Sequence, residues 1–455
     1  MLLPSSLFQL RDQFRFLICP ARFSIRVVVL YSYLFLGALA LLFYVMYLKH
    51  SLPAFLLGLL AHDAVATPAP ASTSESAPDS VPDPYKVYTI SANNITAKLI
   101  GRGARLTSIL VPDRDGKLQD VIVGYDDTTK YENDTNYFGP VVGRYANRIK
   151  NGTFTIDDKE YHVPENENGG LDTLHGGKIG YDKRDWTVTA HTDTSITFSF
   201  YDQALQGFPG DVLTHATFTV GNDITPENPK GLPQLTSRIV ALSLTEKTPI
   251  MLANHIYWNL NAFREENVLK DTTLHLPLSS RYIASDGILI PNGTIGTVDT
   301  AYNGAADFTS PKLIGKDIEE AAGICGTGCT GYDNCFLVDR PVGYAAPDSM
   351  VPVVRMSSSA TGIGLQVSTN QAAIQIYSCN GQNGTVPVKP SQLKRNKEDG
   401  VDGPAVVNQY GCVVIETEDW IDGINRPEWG RLPYQIFTPD GPAAVNLATY
   451  QFSTF

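Results

Sequence analysis

From residue 85 onward, apolar and polar positions alternate in short runs broken by turn residues. Val87-Tyr88-Thr89-Ile90 and Ala97-Lys98-Leu99-Ile100 show the period-two pattern of half-buried strands. Asp115-Gly116, Asn151-Gly152, Asp286-Gly287, Asn292-Gly293, Asp402-Gly403 and Asp440-Gly441 punctuate the runs, and such pairs make tight hairpin turns. No segment keeps a long 3.6-residue amphipathic period, and no short repeat of the propeller or solenoid kind occurs. The pattern predicts an all-β fold: a large antiparallel β-sandwich with few helices. Residues 85–455 contain no Pro/Gly/Ser-rich linker and read as one domain. Within it, 221–234 is polar and Pro-rich and reads as a loop insertion.

The first 84 residues are patterned differently. Val27 to Leu48 is free of charge and long enough to cross a bilayer as a helix, with Arg11, Arg15, Arg22 and Arg26 before it. A second reading starts at Met46: Lys49 and His50, an apolar stretch from Phe55 to Ala61, then Ala64-Val65-Ala66, which has the form of a signal peptide cleaved before Thr67. The leader is thus 1–66, as a signal peptide from about 46 to 66 or a signal anchor at 27–48. Both readings put the domain outside the cytosol, secreted in the first and membrane-anchored in the second. Residues 67–84 are rich in Pro, Ala, Ser and Thr and read as an extended linker.

Composition narrows the partners. The net charge is −12, which argues against a nucleic-acid backbone as partner, since no basic surface is available to displace its counterions. Asn-x-Ser/Thr acceptors at Asn94, Asn133, Asn151, Asn292 and Asn383 suit an exported glycoprotein. Five cysteines follow the leader: Cys325, Cys329, Cys335, Cys379 and Cys412. In an oxidising compartment some should pair; Cys325 and Cys329 can close a small loop, and the odd count leaves at least one thiol free. No second Cys or His pair stands at zinc-ligand spacing, so no metal is expected.

Candidate chemistry lies in five stretches. Asn254-His255-Ile256-Tyr257-Trp258-Asn259-Leu260 sets a histidine, able to trade protons near neutral pH, among aromatic side chains that suit a ringed small molecule. In Gly143-Arg144-Tyr145-Ala146-Asn147-Arg148-Ile149, a planar amide and a planar guanidinium stand side by side and can grip hydroxyls. Leu174-His175-Gly176-Gly177 offers a histidine and a backbone that can approach a ligand closely. Tyr332-Asp333 puts an acid just before an apolar strand, and Glu416 ends the buried-strand run Cys412–Ile415, where lost solvation should raise its pKa, helped by Glu418 and Asp419. Each has a plainer reading: a core histidine, a surface Arg at a turn, a turn histidine, a capping Asp, an edge-strand acid.

In this order the five stretches resemble the aldose 1-epimerase (galactose mutarotase) family. Gly207-Phe208-Pro209-Gly210-Asp211, Ile290-Pro291-Asn292-Gly293, Asp307-Phe308 and Asp422-Gly423-Ile424-Asn425 add to the likeness, which runs from about Tyr88 to the end. The resemblance implies a β-sandwich with an open sugar-binding face and no cofactor. It implies a free monosaccharide substrate, Glu416 as base and His255 as acid, with Asn147, Arg148, His175 and Asp333 holding the sugar. Ile256 and Trp258 depart from the family's usual Ser/Thr and Phe, which bears on substrate preference. A glycoside hydrolase or lyase needs two facing carboxylates, for which Asp333 and Glu416 are the candidates. A sugar-binding module could dispense with either the acid or the base. A hexose-6-phosphate epimerase would show further Arg or Lys for the phosphate.

Overall fold

The computed structural model describes residues 82–455, apart from 225–227, 230, 345 and 347–348. The leader and nearly all of the linker lie outside the described residues. The period-two runs become strands, and two sheets carry most of them. One has nine strands, ordered Thr187–His191, Ser195–Gln203, Asp211–Asp223, Leu232–Ser243, Ala444–Thr454, Ile363–Thr369, Val351–Ser358, Thr272–His275 and Lys312–Leu313. The other has six: Tyr257–Trp258, Val413–Glu418, Ala373–Tyr377, Asp333–Leu337, Arg281–Ser285 and Pro291–Thr297. Neighbouring strands in both sheets are antiparallel. A four-stranded sheet from Tyr88–Ala92 to Leu118–Asp120 packs into the same core. Helix is confined, among the described residues, to Pro390–Glu398, Leu432–Gln435 and short 3₁₀ turns.

One shared core joins the layers. Phe198, Phe218, Leu235 and Ile239 reach it from the nine-stranded sheet, and Trp258, Phe336, Ile374 and Ile415 from the six-stranded one. Each such side chain contributes about 1.5–3 kcal/mol on burial, so the inward faces fix which way the outward residues point. Cys325–Cys329 and Cys379–Cys412 are disulfides, and Cys335 is a buried free thiol.

Residues 221–234 differ from the sequence expectation. Gly221, Asn222 and Asp223 pair with Gln234, Pro233 and Leu232, so both ends of this stretch continue a long hairpin rather than forming a loop. The alternation of buried and part-buried positions carries through Val220 and Leu235 and holds the register up to these polar ends.

Candidate active site

The outward face of the six-stranded sheet forms the floor of a cleft of about 360 Å³. Alternation decides what reaches it. Along Val413–Glu418, Val413 and Ile415 face the core while Glu416 and Glu418 face the opposite side. Gln375 stands directly across from Glu416 in the next strand, and its Nε2 donates to Asp333 Oδ1 at 2.6 Å. The strand carrying Glu416 has a neighbour on each side, so this acid is an internal, buried group and not an edge-strand carboxylate.

The same rule corrects the reading of the Asn254–Leu260 stretch. His255 and Tyr257 line the cleft, whereas Ile256 and Trp258 are fully buried in the core, Trp258 against Tyr450 and Phe452. The two departures from the family pattern therefore sit on the face away from any substrate. Trp258 is not one of the aromatic walls; these are Tyr137, Tyr257 and Tyr377.

All six residues singled out from the sequence line this one cleft: Asn147, Arg148, His175, His255, Asp333 and Glu416. His255 Nε2 and Glu416 Oε1 lie 3.5 Å apart, with the His175 ring in edge contact with His255 at 5.1 Å between centroids. The strand Arg148–Lys150 pairs with Asp172–Leu174, which brings the Asn147–Arg148 and His175 stretches side by side. Gly176 serves this approach rather than the approach of a ligand: a Cβ there would lie 2.1 Å from the Gly143 carbonyl oxygen. Sequence reasoning missed Glu167 and Gln375. Glu167 takes the fork of Arg148 at 2.7 and 3.0 Å, and Asp172 lies 3.5 Å from the same guanidinium.

Asn147 does less for a substrate than its motif suggests. Its side-chain amide donates to Glu418 Oε1 at 3.1 Å, and its backbone N–H donates to His175 Nδ1 at 3.1 Å. Because Nδ1 accepts, neutral His175 must carry its proton on Nε2 and present a donor. Ligand atoms of His175, His255 and Glu416 lie within 4.8 Å of one another. A metal-bound histidine normally donates from its other nitrogen, the reverse of what His175 does here, so the trio is built for hydrogen bonding rather than for an ion.

Burial dominates the electrostatics. It lowers His255 to about 4 and pushes His175 well below the ordinary histidine value. Burial, then the charge of Asp333, raises Glu416 to about 8 despite the attraction of Arg148. Glu416 Oε2 is buried without a hydrogen-bond partner, and so is His255 Nδ1. Between these two pKa values the proton of the pair is favoured on Glu416, with His255 neutral. This is the reverse of an imidazolium beside a carboxylate: burial strips both groups of solvation, and Glu416 Oε2 has no donor and His255 Nδ1 no acceptor to support the charged forms. Asp419 adds little, since it is held by the fork of Arg431. A larger cavity of about 470 Å³ opens between Leu252, Trp420 and Tyr434, but Asp419 is its only carboxylate and is already paired.

A strand-built cleft with a buried histidine–carboxylate pair beside a guanidinium is a geometry suited to exchanging protons with a small polar molecule. A family model described as Aldose 1-epimerase matches residues 86–436. The probable aldose 1-epimerase of Arthroderma benhamiae is 58% identical over 382 residues, spanning 82% of this chain and 87% of that protein. The galactose mutarotase of Mus musculus is 28% identical over 346 residues, spanning 75% of this chain and 87% of its own length. Among solved structures, the GalM/aldose epimerase homologue from C. elegans superposes with a TM-score of 0.65 at 26% identity, covering 81% of this chain and 99% of that one. The chain belongs to the aldose 1-epimerase family. Its activity is that of an isomerase of carbohydrate metabolism, interconverting the α and β anomers of free aldoses.

Proposed function

We propose that His255 and Glu416 together carry out the anomer exchange, and that the observation supporting this most strongly is their 3.5 Å approach on the buried floor of the cleft. Opening a hemiacetal takes a proton from the anomeric hydroxyl and gives one to the ring oxygen. The aldehyde carbon then turns about its bond to the chain, and the same two groups close the ring in reverse. A pair sharing one proton supplies one acid and one base, so no cofactor is required. A sugar hydroxyl donating to the unpartnered Glu416 Oε2, beside Arg148, favours the carboxylate. The proton then moves to His255, which makes Glu416 the base at the anomeric hydroxyl and His255 the acid at the ring oxygen. Arg148, His175 and Asp333 orient the remaining oxygens, with Asn147 behind them. A free monosaccharide such as glucose or galactose is the substrate.

The pH profile tests the shared proton. Below about 4 both groups are protonated and no base remains; above about 8 both are deprotonated and no acid remains. Polarimetry of fresh α-glucose should give a kcat/KM that is level between these limits and falls on both sides. A rate that climbs steadily through this range would count against the pair.

We further propose that 85–455 is the catalytic domain and works outside the cytosol, released from the leader or held by it. All five acceptor asparagines in this domain, Asn94, Asn133, Asn151, Asn292 and Asn383, are exposed, as glycosylation requires. The secreted protein should lose mass on treatment with an N-glycosidase. Recovery of the protein from cytosol with an unchanged mass would contradict export.

A further inference from the structure

Glu418 lies two residues beyond Glu416 on the same face of their strand, is fully buried, and takes no part in the proton transfers above. Its Oε1 accepts the Asn147 amide at 3.1 Å, while Oε2 is buried without a partner. Asn147 in turn holds His175 twice. Its N–H donates to the ring Nδ1 at 3.1 Å, and its carbonyl accepts the His175 backbone N–H at 3.0 Å. Its Oδ1 also accepts from the Arg148 guanidinium at 3.4 Å. Both Asn147 (φ 57°) and His175 (φ 49°) are in the left-handed region, which is costly for residues with a Cβ and needs outside support.

We infer that Glu418 is a positioning residue: by anchoring the Asn147 side chain it keeps that left-handed turn in place, and so fixes His175 as the Nε2–H donor and steadies Arg148. Buried, with a neutral amide as its hydrogen-bond donor, the Glu418 carboxyl is best accommodated neutral: burial first, then the charge of Glu416 whenever that group ionises, pushes it well above the ordinary range. A neutral carboxyl and a carboxamide then present the same acceptor to Asn147, so a glutamine should serve as well. The assignment of His175's tautomer stands on geometry alone; its consequence for rate rests on the acid–base reading of the cleft.

The test combines nitrogen NMR of histidine-labelled protein with polarimetry. Glu418→Gln should keep His175 as the Nε2–H tautomer and keep the rate within about threefold of wild type. Glu418→Leu, which removes the acceptor, should mix the tautomers and slow the reaction about 10- to 100-fold, the scale of one buried hydrogen bond. Asn147→Ala tests the same link if Glu418→Leu does not fold, because alanine keeps the backbone N–H and the costly left-handed conformation but loses the amide that Glu418 anchors; it should mix the tautomers too. Unchanged His175 resonances in Glu418→Leu or in Asn147→Ala would overturn the inference, whatever the rate. Mixed tautomers at an unchanged rate would uphold the positioning and count against the acid–base reading instead.

Discussion

The two faces of the six-stranded sheet are built from alternate residues of the same strands and carry opposite burdens. Inward, Ile256, Trp258, Phe336, Ile374 and Ile415 meet the other layers in an apolar core. Outward, His255, Gln375 and Glu416 are almost as well buried but polar, with Asp333 half-buried beside them, and several of their atoms lack partners. The core face gains free energy from burial; the cleft face gives some back, because its ionisable groups are held away from water. The cleft can therefore keep its proton in an unusual place only because the opposite face is stable enough to support it.

Substitutions on the two faces should separate stability from rate. The largest expected effect is at Trp258: truncation to alanine leaves a cavity between the layers and should cost about 3–5 kcal/mol in chemical denaturation. What remains folded should keep a working cleft, since the indole lies on the core side, against Tyr450 and Phe452, and does not line it. A Trp258→Ala protein with normal stability would break the comparison at its core side.

The cleft face should behave in the opposite sense. Glu416 keeps its proton in the folded state up to about 8, while the unfolded chain releases it near 4.5. Between those values the folded state binds the extra proton, so this group's contribution to stability is complete at low pH and is lost as pH rises through the window. Glu416→Gln removes that loss. Relative to wild type it should gain stability from pH 4.5 to 8, at a limiting slope of about 1.4 kcal/mol per pH unit. Parallel stability profiles for the two proteins would show that Glu416 is not held neutral.

Asp333→Asn is smaller. It retains shape and exchanges one charged hydrogen bond for a neutral one, costing about 1.5–3 kcal/mol, or roughly ten- to a hundredfold in rate. The wild type should release no reducing ends from aryl glycosides; cleavage that disappears in Asp333→Asn would point to a carboxylate pair and a hydrolase. The smallest effect is expected at Glu167, which tethers the Arg148 fork from a loop at the side of the cleft. Glu167→Gln should raise KM about three- to tenfold with a lesser change in kcat, because guanidinium–carboxylate pairing positions more than it binds.

The alternating strands and the six cleft residues were legible in the sequence, because each lay in a recognisable stretch and strand pairing carries such stretches together. Period two, applied to residues 255–258, also tells that His255 and Trp258 face opposite ways, so the Trp258 correction was available from pattern alone. Glu167 and Gln375 were not legible: one sits on an irregular loop placed by the pairing of Arg148–Lys150 with Asp172–Leu174, the other in an otherwise apolar strand without a flanking motif. The upward shift of Glu416 was legible in direction from its apolar strand, but its extent was hidden, since that depends on how little solvent and how few donors reach the group after folding.

The pairing of His255 with Glu416 is tested most directly by polarimetric mutarotation of fresh α-glucose by folded Glu416→Gln and His255→Asn proteins. Each variant should lose at least about a hundredfold in kcat, the scale of a general acid or base. Near-wild-type turnover by either one would remove that residue from the chemistry and contradict the pair.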